Sequence, residues 1–227
     1  MRAYGLGIRN DSLSIIPVGD IENITKEIVN TSTSSSYINN VPFTTQAPFA
    51  NWSDQRQQDG CEEASALMAI HWARGETLSK QEALDEILGI SDYTLDKYGE
   101  YRDISSPDAV AWIYNDYFKF DKVESRKGVS KEDIISELAQ GSLVVAPMNG
   151  QILGNPNFTQ PGPSRHMLVI KGYDVDKDVF ITNDPGTRMG ENYEYDSSIL
   201  FNSIRDYPTG HYETINKIEK NIIVVKK

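Results

Sequence analysis

Cysteine and histidine are scarce in this sequence, and their scarcity excludes several kinds of site. Cys61 is the single cysteine among 227 residues, so the chain cannot form an internal disulfide. One cysteine and three scattered histidines (His71, His166 and His211) do not supply a zinc site of the Cys/His type. We therefore expect no metal ion and no other cofactor, and cysteine pairing does not indicate a redox compartment.

The sequence also lacks long apolar runs and an excess of positive charge. No stretch is apolar enough to cross a bilayer, and residues 1–7 lack the apolar segment of a signal peptide. The net charge of −11, from 33 acidic and 22 basic residues, argues against nucleic acid or an anionic membrane surface as the main partner. We expect a cytoplasmic protein, or a secreted or cell-envelope protein if a leader was removed.

The composition is that of a folded protein, with 39% hydrophobic residues and many aromatic ones, but the first residues differ from the rest. Residues 4–18 alternate weakly as in a small hairpin, and residues 20–29 have the pattern of a short amphipathic helix. Residues 30–36 are a polar run rich in serine and threonine. We interpret residues 1–36 as an N-terminal extension and linker, and residues 37–227 as the main domain.

Within the main domain, helix signals precede strand signals. Four helices are predicted, from the cysteine to Gly75, from Ser79 to about Leu88, from Ser106 onward, and from Ser130 to Gly141. Four apolar strands follow, over residues 143–147, 166–173, 179–186 and 222–225. This order predicts an α+β fold in which a helical half packs against an antiparallel sheet half, with a cleft between them.

The cysteine lies where a loop is predicted to become a helix. Gly60 interrupts regular structure, Glu62 and Glu63 suit the first turn of a helix, and an apolar helical face continues to Ile70. A thiol at a helix N-terminus is close to the positive end of the helix dipole, which favours the thiolate that attacks carbonyl carbon. Cys61 is therefore a candidate nucleophile, although a lone cysteine is more often a buried structural residue.

A thiol nucleophile needs a base, and the sequence offers two. His166 starts one predicted strand and Asp184 ends the next, and the start and end of antiparallel neighbours are adjacent, so the two side chains can hydrogen-bond. His211, in a turn near the C-terminus, is the rival base if this strand pairing does not form. His71 is excluded as the base because it lies on the same predicted helix as Cys61, about 15 Å away.

Four segments, in this order, resemble the C39-like cysteine peptidases of the papain-like superfamily. They are Val-Pro-Phe-Thr-Thr-Gln at residues 41–46, Gly-Cys-Glu-Glu-Ala-Ser-Ala-Leu-Met-Ala at 60–69, Arg-His-Met-Leu-Val-Ile-Lys-Gly-Tyr at 165–173, and Asn-Asp-Pro-Gly at 183–186. The resemblance covers roughly residues 40–207 and implies a papain-like fold whose helical half carries the cysteine helix. The sequence has no P-loop, so it resembles the stand-alone branch rather than the transporter-fused members that cut leader peptides after a Gly-Gly pair.

The resemblance implies a catalytic triad of Cys61, His166 and Asp184, and a glutamine upstream of the cysteine that donates to the oxyanion. Gln46 closes the family's Val-Pro-x-x-x-Gln motif and is the first choice. The gap between it and the cysteine is longer than in compact papain-like enzymes, so the glutamines nearer the cysteine remain rivals. These are Gln55, Gln57 and Gln58.

The activity expected from this triad is hydrolysis of a peptide or amide bond in a peptide or protein substrate, through a thioester on Cys61. Residues 149–164, rich in glycine, asparagine and proline, are a candidate substrate-binding loop. Two alternatives remain open: a non-catalytic peptide-binding module of the same fold, and a transglutaminase-like acyltransferase in which an amine replaces water. The acidic surface mildly favours neutral or basic peptides. The oligomeric state is not predicted.

Overall fold

The structure, a computed structural model, describes residues 36–227. The hairpin and helix predicted within residues 4–29 lie outside the described residues, and so does the predicted linker except for Ser36. No helix in the described part of the chain is long and apolar enough to cross a membrane.

Helices of different lengths pack around a central sheet. In chain order they are α1 (Gln55–Gln58), α2 (Cys61–Arg74), α3 (Lys80–Tyr98), α4 (Ser106–Asp108), α5 (Lys131–Ala139), α6 (Gly150–Leu153) and α7 (Ser197–Ser203). A π-helix, Ala109–Tyr117, continues directly from α4. The starts of α3 and α5 are fixed by capping boxes, in which Ser79 and Ser130 each exchange hydrogen bonds with an acidic residue three positions later.

The predicted helix ends are confirmed for α2 and α5 but not for α3. Gly75, with φ of 72°, ends α2, and Gly141, with φ of 82°, follows α5. The helix predicted to end near Leu88 is longer, because Gly89 is accommodated inside α3: a Cβ there would lie 2.8 Å from the Tyr117 hydroxyl. The helix predicted from Ser106 completes only α4 before it widens into the π-helix.

A seven-stranded antiparallel sheet forms the centre of this part of the chain. Its strands are β1 (Tyr37–Ile38), β2 (Val123–Arg126), β3 (Leu143–Met148), β4 (His166–Asp174), β5 (Val179–Asn183), β6 (Tyr193–Asp196) and β7 (Ile222–Val225). The order is β2-β7-β3-β4-β5-β6, and β1 pairs with the end of β4. The four predicted strands correspond to β3, β4, β5 and β7, whereas β1, β2 and β6 were not predicted.

Both faces of the central strands are covered, which explains their continuous apolar sequences. On one face, Val145, Val169 and Ile223 pack in the same cluster as residues of α2 and the π-helix. On the other face, Val144 and Val224 pack with residues of α5 and α7. The cysteine helix therefore lies directly against β4, the strand that begins at the predicted base.

Candidate active site

Cys61 is the first residue of α2, and Gly60 allows the preceding helix to approach it closely. A Cβ at Gly60 would lie 2.7 Å from the carbonyl oxygen of Arg56 in α1, so a larger residue would push α1 away. Only 7% of the Cys61 surface is exposed. The nucleophile proposed from the sequence is thus at the predicted helix start, but more deeply buried than a helix N-terminus usually is.

Two side chains join the first turns of α2 to β4. The Ser65 hydroxyl donates to the carbonyl oxygen of Met167 at 3.1 Å. The Tyr207 hydroxyl donates to Glu62 at 2.6 Å and lies 3.4 Å from the carbonyl oxygen of His166. Because the cysteine is one helical turn before Ser65 and the histidine is next to Met167, these contacts bring nucleophile and base to the same place.

Cys61 and His166 line one cleft, with a volume of about 820 Å³. Gln46 lies in its wall as well, and part of the predicted substrate loop, from Asn157 to Ser164, contributes Phe158, Gly162 and Pro163 among others. The beginning of that predicted loop is the helix α6 instead. The structure therefore brings three of the four predicted site residues to one cleft, and the fourth lies behind the histidine.

The fourth residue, Asp184, is fully buried and binds His166. Its Oδ1 lies 2.7 Å from Nε2 of the histidine, and two further donors reach the carboxylate, the Tyr195 hydroxyl at 2.6 Å and the Gly186 N–H at 3.0 Å. Burial alone would raise the pKa of Asp184, but the charge and hydrogen bond of His166, with these two donors, hold it below its ordinary value. An ionised carboxylate accepts from Nε2–H, which leaves Nδ1 as the nitrogen that can take up a proton.

Further residues, which sequence analysis did not identify, hold the His–Asp pair in place. The Asn155 amide donates to the Tyr195 hydroxyl at 2.6 Å, and the Phe158 ring packs edge-on against His166 with centroids 5.3 Å apart. A Cβ at Gly186 would lie 2.9 Å from Cε1 of the histidine, so glycine is required for the imidazole to sit here. Tyr195 lies on β6, and without the β5–β6 pairing nothing in the sequence connects it to the site.

The thiol of Cys61 is hydrogen-bonded to a carboxyl group. Its Sγ donates to Oε2 of Glu62 at 3.0 Å. Burial, followed by the charge of Glu62 and this hydrogen bond, raises the pKa of Cys61 well above its ordinary value. Burial and the contact with Glu62 thus oppose the effect of the helix N-terminus, which was expected to favour the thiolate. Glu62 and Glu63 were predicted as ordinary first-turn residues, yet both are buried.

Gln46 lies in the cleft, but its amide is already hydrogen-bonded. Its backbone N–H donates to the carbonyl of Pro185 at 3.0 Å, and its Nε2 donates to the carbonyls of Gln57 and Gln58 at 3.1 and 2.6 Å. The side chain therefore fastens the loop before the cysteine helix. One amide N–H has to leave its carbonyl before this glutamine can donate to an oxyanion.

The rival glutamines differ in their positions. Gln58 also lines the cleft, and its Nε2 donates to the carbonyl of Trp52 at 2.6 Å. Gln55 is exposed and donates to a neighbouring carboxylate at 2.8 Å, whereas Gln57 is buried. Of the four candidates, Gln46 and Gln58 therefore share the cleft with the cysteine.

The other two histidines lack the arrangement found at His166. His211 lines the cleft and packs edge-on against Tyr212, with centroids 4.4 Å apart, but within residues 36–227 its ring has no hydrogen-bonded carboxylate. The Nδ1 of His71 lies 2.8 Å from the carbonyl oxygen of Thr77, near the end of α2. The Nδ1 of His71 also lies 4.0 Å from Oε2 of Glu76, so what distinguishes His166 from both alternatives is a hydrogen-bonded carboxylate.

The charged side chains of the cleft balance each other. Asp59 and Asp103 are acidic, Arg165 and Arg188 are basic, and Arg165 pairs with Asp103 at 2.9 Å. The net charge of −11 therefore belongs to other surfaces of the protein. The expectation that an acidic surface favours basic peptides has no counterpart in the lining of this cleft.

A family model matches most of the chain. The model of the Peptidase_C39 like family matches residues 38–218. The chain therefore belongs to the C39-like peptidases, a family of cysteine peptidases. The resemblance of the four sequence segments is confirmed, and so is the predicted α+β, papain-like fold with helices packed on an antiparallel sheet.

Several chains of solved structures match this sequence, including the following one. A protein from Bacillus anthracis, described as a candidate C39-like peptidase, is 17% identical. The match covers 85% of this chain and 98% of that chain, with a TM-score of 0.47. A likeness at this level concerns the fold and not the site. No curated protein matches the sequence.

Proposed function

We propose that this protein is a cysteine peptidase or amidase with Cys61 as nucleophile, His166 as base and Asp184 as the residue that orients the base. The observation that carries the proposal is the 2.7 Å hydrogen bond between His166 and a fully buried carboxylate, in the wall of the cleft that contains the thiol. A histidine oriented in this way next to a cysteine is the arrangement that activates a thiol for attack on a carbonyl.

The first half of the reaction forms an acyl-enzyme. Nδ1 of His166 takes the proton of the Cys61 thiol, and the sulfur attacks the carbonyl carbon of the substrate. The tetrahedral oxyanion then collapses, the C–N bond breaks, and the imidazolium gives its proton to the leaving amine. The product at this stage is a thioester between the sulfur and the acyl half of the substrate.

The second half of the reaction releases the acid. His166 takes a proton from water, the resulting hydroxide attacks the thioester carbonyl, and the sulfur leaves as thiolate. Asp184 stays ionised throughout, because it accepts the Nε2–H hydrogen bond and stabilises the imidazolium without taking its proton. The hydrolysis thus consumes one water molecule and regenerates the enzyme.

Two donors are assigned to the oxyanion. The backbone N–H of Cys61 belongs to the first turn of α2, where N–H groups have no acceptor within the helix. The second donor is the Gln46 amide, which lines the same cleft and reaches the oxyanion by releasing one of its two backbone carbonyls. The first transition state therefore requires a local rearrangement of the loop before the cysteine.

The substrate assigned to this cleft is a peptide or protein segment. A volume of about 820 Å³ accommodates several residues, and Phe158 and Trp52 offer apolar contacts along the walls. The balanced charges of the cleft do not select strongly for acidic or basic side chains. Contacts along the segment from Asn157 to Ser164 are the ones assigned to substrate positioning.

The proposal is tested by incubating the protein with a mixture of unfolded polypeptides and identifying new chain ends by mass spectrometry. Wild type is expected to cleave, Cys61→Ala to be inactive, and His166→Ala to be severely impaired. His211→Ala is the matched control, since it removes a histidine of the same cleft that has no carboxylate partner, and it should keep most of the activity. Full turnover by Cys61→Ala would overturn the assignment.

The raised pKa of the thiol favours a second candidate, the non-catalytic peptide-binding module. Such a module would bind peptides equally well as wild type or as Cys61→Ala, and would release no cleavage products. Acyl transfer is separated from hydrolysis by adding a primary amine and asking whether the amine appears in the product. The presence of cleavage products separates a peptidase from a binding module, and the fraction of product that carries the amine measures acyl transfer.

A further inference from the structure

A buried carboxyl group touches the nucleophile and has no part in the reaction described so far. Glu62 is 1% exposed, its Oε2 accepts the Cys61 Sγ–H at 3.0 Å, and its Oε1 accepts the Tyr207 hydroxyl at 2.6 Å. The same hydroxyl lies 3.4 Å from the carbonyl oxygen of His166. The carboxyl group is thereby held between the nucleophile and the strand that carries the base.

We propose that Glu62 is a positioning residue that shares a proton with the Cys61 thiol and so sets the pH range in which the thiol reacts. This inference rests on the proposed function, because it concerns the same nucleophile. Tyr207 keeps Oε2 directed at the sulfur, since its hydroxyl finds an acceptor in Oε1 whether the carboxyl is ionised or not. Burial raises the pKa of Tyr207 well above its ordinary value, so the hydroxyl remains a donor.

The two protonation states of Glu62 have opposite effects on the thiol. As a carboxylate, Glu62 accepts the S–H and places a negative charge 3.0 Å from the sulfur, which opposes the thiolate. As a carboxylic acid, it donates its O–H to the sulfur and stabilises the thiolate. Conversion of the first state to the second takes up one proton from water at Oε2, while the thiol proton passes to Nδ1 of His166.

The environment of the carboxyl group places this exchange in the neutral range. Burial raises the pKa of Glu62 to about 7, and the charge of Asp103 acts in the same direction. The hydrogen bonds from Tyr207 and Cys61 oppose this rise. The carboxyl group is therefore present in both forms near neutral pH, which is what proton sharing with the thiol requires.

The other charged groups around the pair are mainly acidic. Glu63 follows on α2, Asp59 and Asp103 lie beside the cleft, and Arg165 is engaged by Asp103 at 2.9 Å. On β4, His166 lines the same cleft as Cys61 and is hydrogen-bonded to Asp184. A second negative charge on the thiol–carboxyl pair is therefore disfavoured, and thiolate and carboxylate exclude each other.

A purely structural role for Glu62 makes a different prediction. In that case the carboxyl group only ties α2 to Tyr207, and its replacement changes stability without changing the titration of the thiol. Glu62→Gln separates the two roles, because the amide can donate to the sulfur and accept from the tyrosine without ever carrying a charge. Glu63→Gln is the matched control, since Glu63 is equally buried but binds Ser91 at 3.1 Å and not the thiol.

The test is the rate of Cys61 alkylation by iodoacetamide between about pH 5 and about pH 9, since the thiolate is the reacting form. Wild type should react slowly above about pH 7, since the ionised Glu62 opposes the thiolate and delays the rise in rate to higher pH. Glu62→Gln should instead rise to a plateau and react about tenfold faster than wild type near pH 8. The control Glu63→Gln should stay within about threefold of wild type.

The outcomes separate this inference from the proposed function. An unchanged alkylation profile in Glu62→Gln contradicts proton sharing, whether or not the protein cleaves peptides. A changed profile without turnover by wild type contradicts the proposed function and supports the pairing of the two groups. If Glu62→Gln does not fold, Tyr207→Phe removes a hydrogen bond that lowers the pKa of Glu62, so the pH at which Glu62 begins to slow alkylation should rise, and an unmoved profile contradicts the proposal.

Discussion

Two buried carboxyl groups stand on opposite sides of the cleft, and their pKa values are displaced in opposite directions. On the sheet side, Asp184 accepts hydrogen bonds from His166, Tyr195 and a backbone N–H, and its pKa is lowered despite burial. On the helix side, Glu62 accepts from the Tyr207 hydroxyl and the Cys61 thiol, and burial raises its pKa to about 7.

The difference shows that burial alone does not decide whether a carboxyl group is charged. A cationic partner and a backbone N–H compensate Asp184 for the loss of water, whereas the neutral partners of Glu62 do not compensate it fully. The ionised Asp184 can thus stabilise a positive charge on His166, the proposed base. The nucleophile is kept neutral at rest, and the cost of its ionisation depends on pH.

The largest effect is expected from a substitution of Asp184, the carboxylate that binds His166. Asp184→Asn should lower kcat/KM by about 10³-fold, because the amide carries no charge to stabilise the imidazolium, although its oxygen can still accept from Nε2–H. Steady-state kinetics on the identified substrate measures the loss. Glu137→Gln, which alters a buried carboxyl on α5 paired with Arg126, is the control and should leave kcat/KM nearly unchanged. A loss of less than tenfold in Asp184→Asn would remove the aspartate from the mechanism.

The next largest effect concerns how the contributions of Glu62 and Asp184 to the free energy of unfolding change with pH. The folded pKa of Glu62 lies above its ordinary value of 4.5, so its contribution to stability is complete below about pH 4.5 and is lost as pH rises to about 7. Glu62→Gln does not show this loss, because an amide does not ionise in this pH range. Relative to wild type, its free energy of unfolding should rise by about 3 kcal/mol between these limits.

Urea denaturation at the two pH values measures this change. Asp184 has a lowered pKa, so its contribution has the opposite sign, is present above its ordinary pKa and is lost as pH falls. Asp184→Asn should therefore be more destabilised at neutral than at acidic pH. The same sign of pH dependence in both variants would contradict the comparison.

A smaller effect is expected from the glycine that contacts the imidazole. In Gly186→Ala the new Cβ would lie 2.9 Å from Cε1 of His166, so the ring must shift from its position beside the thiol. We expect kcat/KM to fall by about a hundredfold. Gly75→Ala is the control: its φ of 72° strains an alanine, but no atom lies within 4 Å of the new Cβ. The control should lose about 1 kcal/mol of stability and no activity.

The smallest effect is expected from the hydroxyl that supports Asp184. Tyr195→Phe removes one of its three donors and leaves the Asn155 amide without its acceptor at 2.6 Å. The pKa of Asp184 should rise, the acid limb of the pH–rate profile should move to higher pH, and kcat/KM should fall by about tenfold or less. Tyr193→Phe, on the same strand, should leave the profile unmoved. A shift of equal size in both variants would exclude the assigned role.

The sequence was sufficient for the elements with strong local signals. Capping residues and glycines located the starts of α3 and α5 and both ends of α2, and continuous apolar runs located β3, β4, β5 and β7. The adjacency of His166 and Asp184 followed from one antiparallel hairpin, which is a local pairing. The triad itself remains a prediction until it is tested by substitution.

Contacts between residues that are far apart in the chain could not be predicted from the sequence. The short strands β1 and β2 carry no clear alternation, and the helix predicted to end near Leu88 continues past Gly89, which packs against Tyr117 of the π-helix. Likewise, Glu62 looked like an exposed first-turn residue. Only the position of Tyr207, far along the chain, makes it a buried neighbour of the thiol.

The strand β7 has a consequence for how the protein is made. Its residues, 222–225, come last among the described elements but lie between β2 and β3, next to the edge of the sheet. Until these residues leave the ribosome, the two neighbouring strands each have an open edge and the sheet is incomplete. Contacts over such long stretches of chain form slowly. A nascent chain therefore carries Cys61 and His166 before the sheet that supports them is complete.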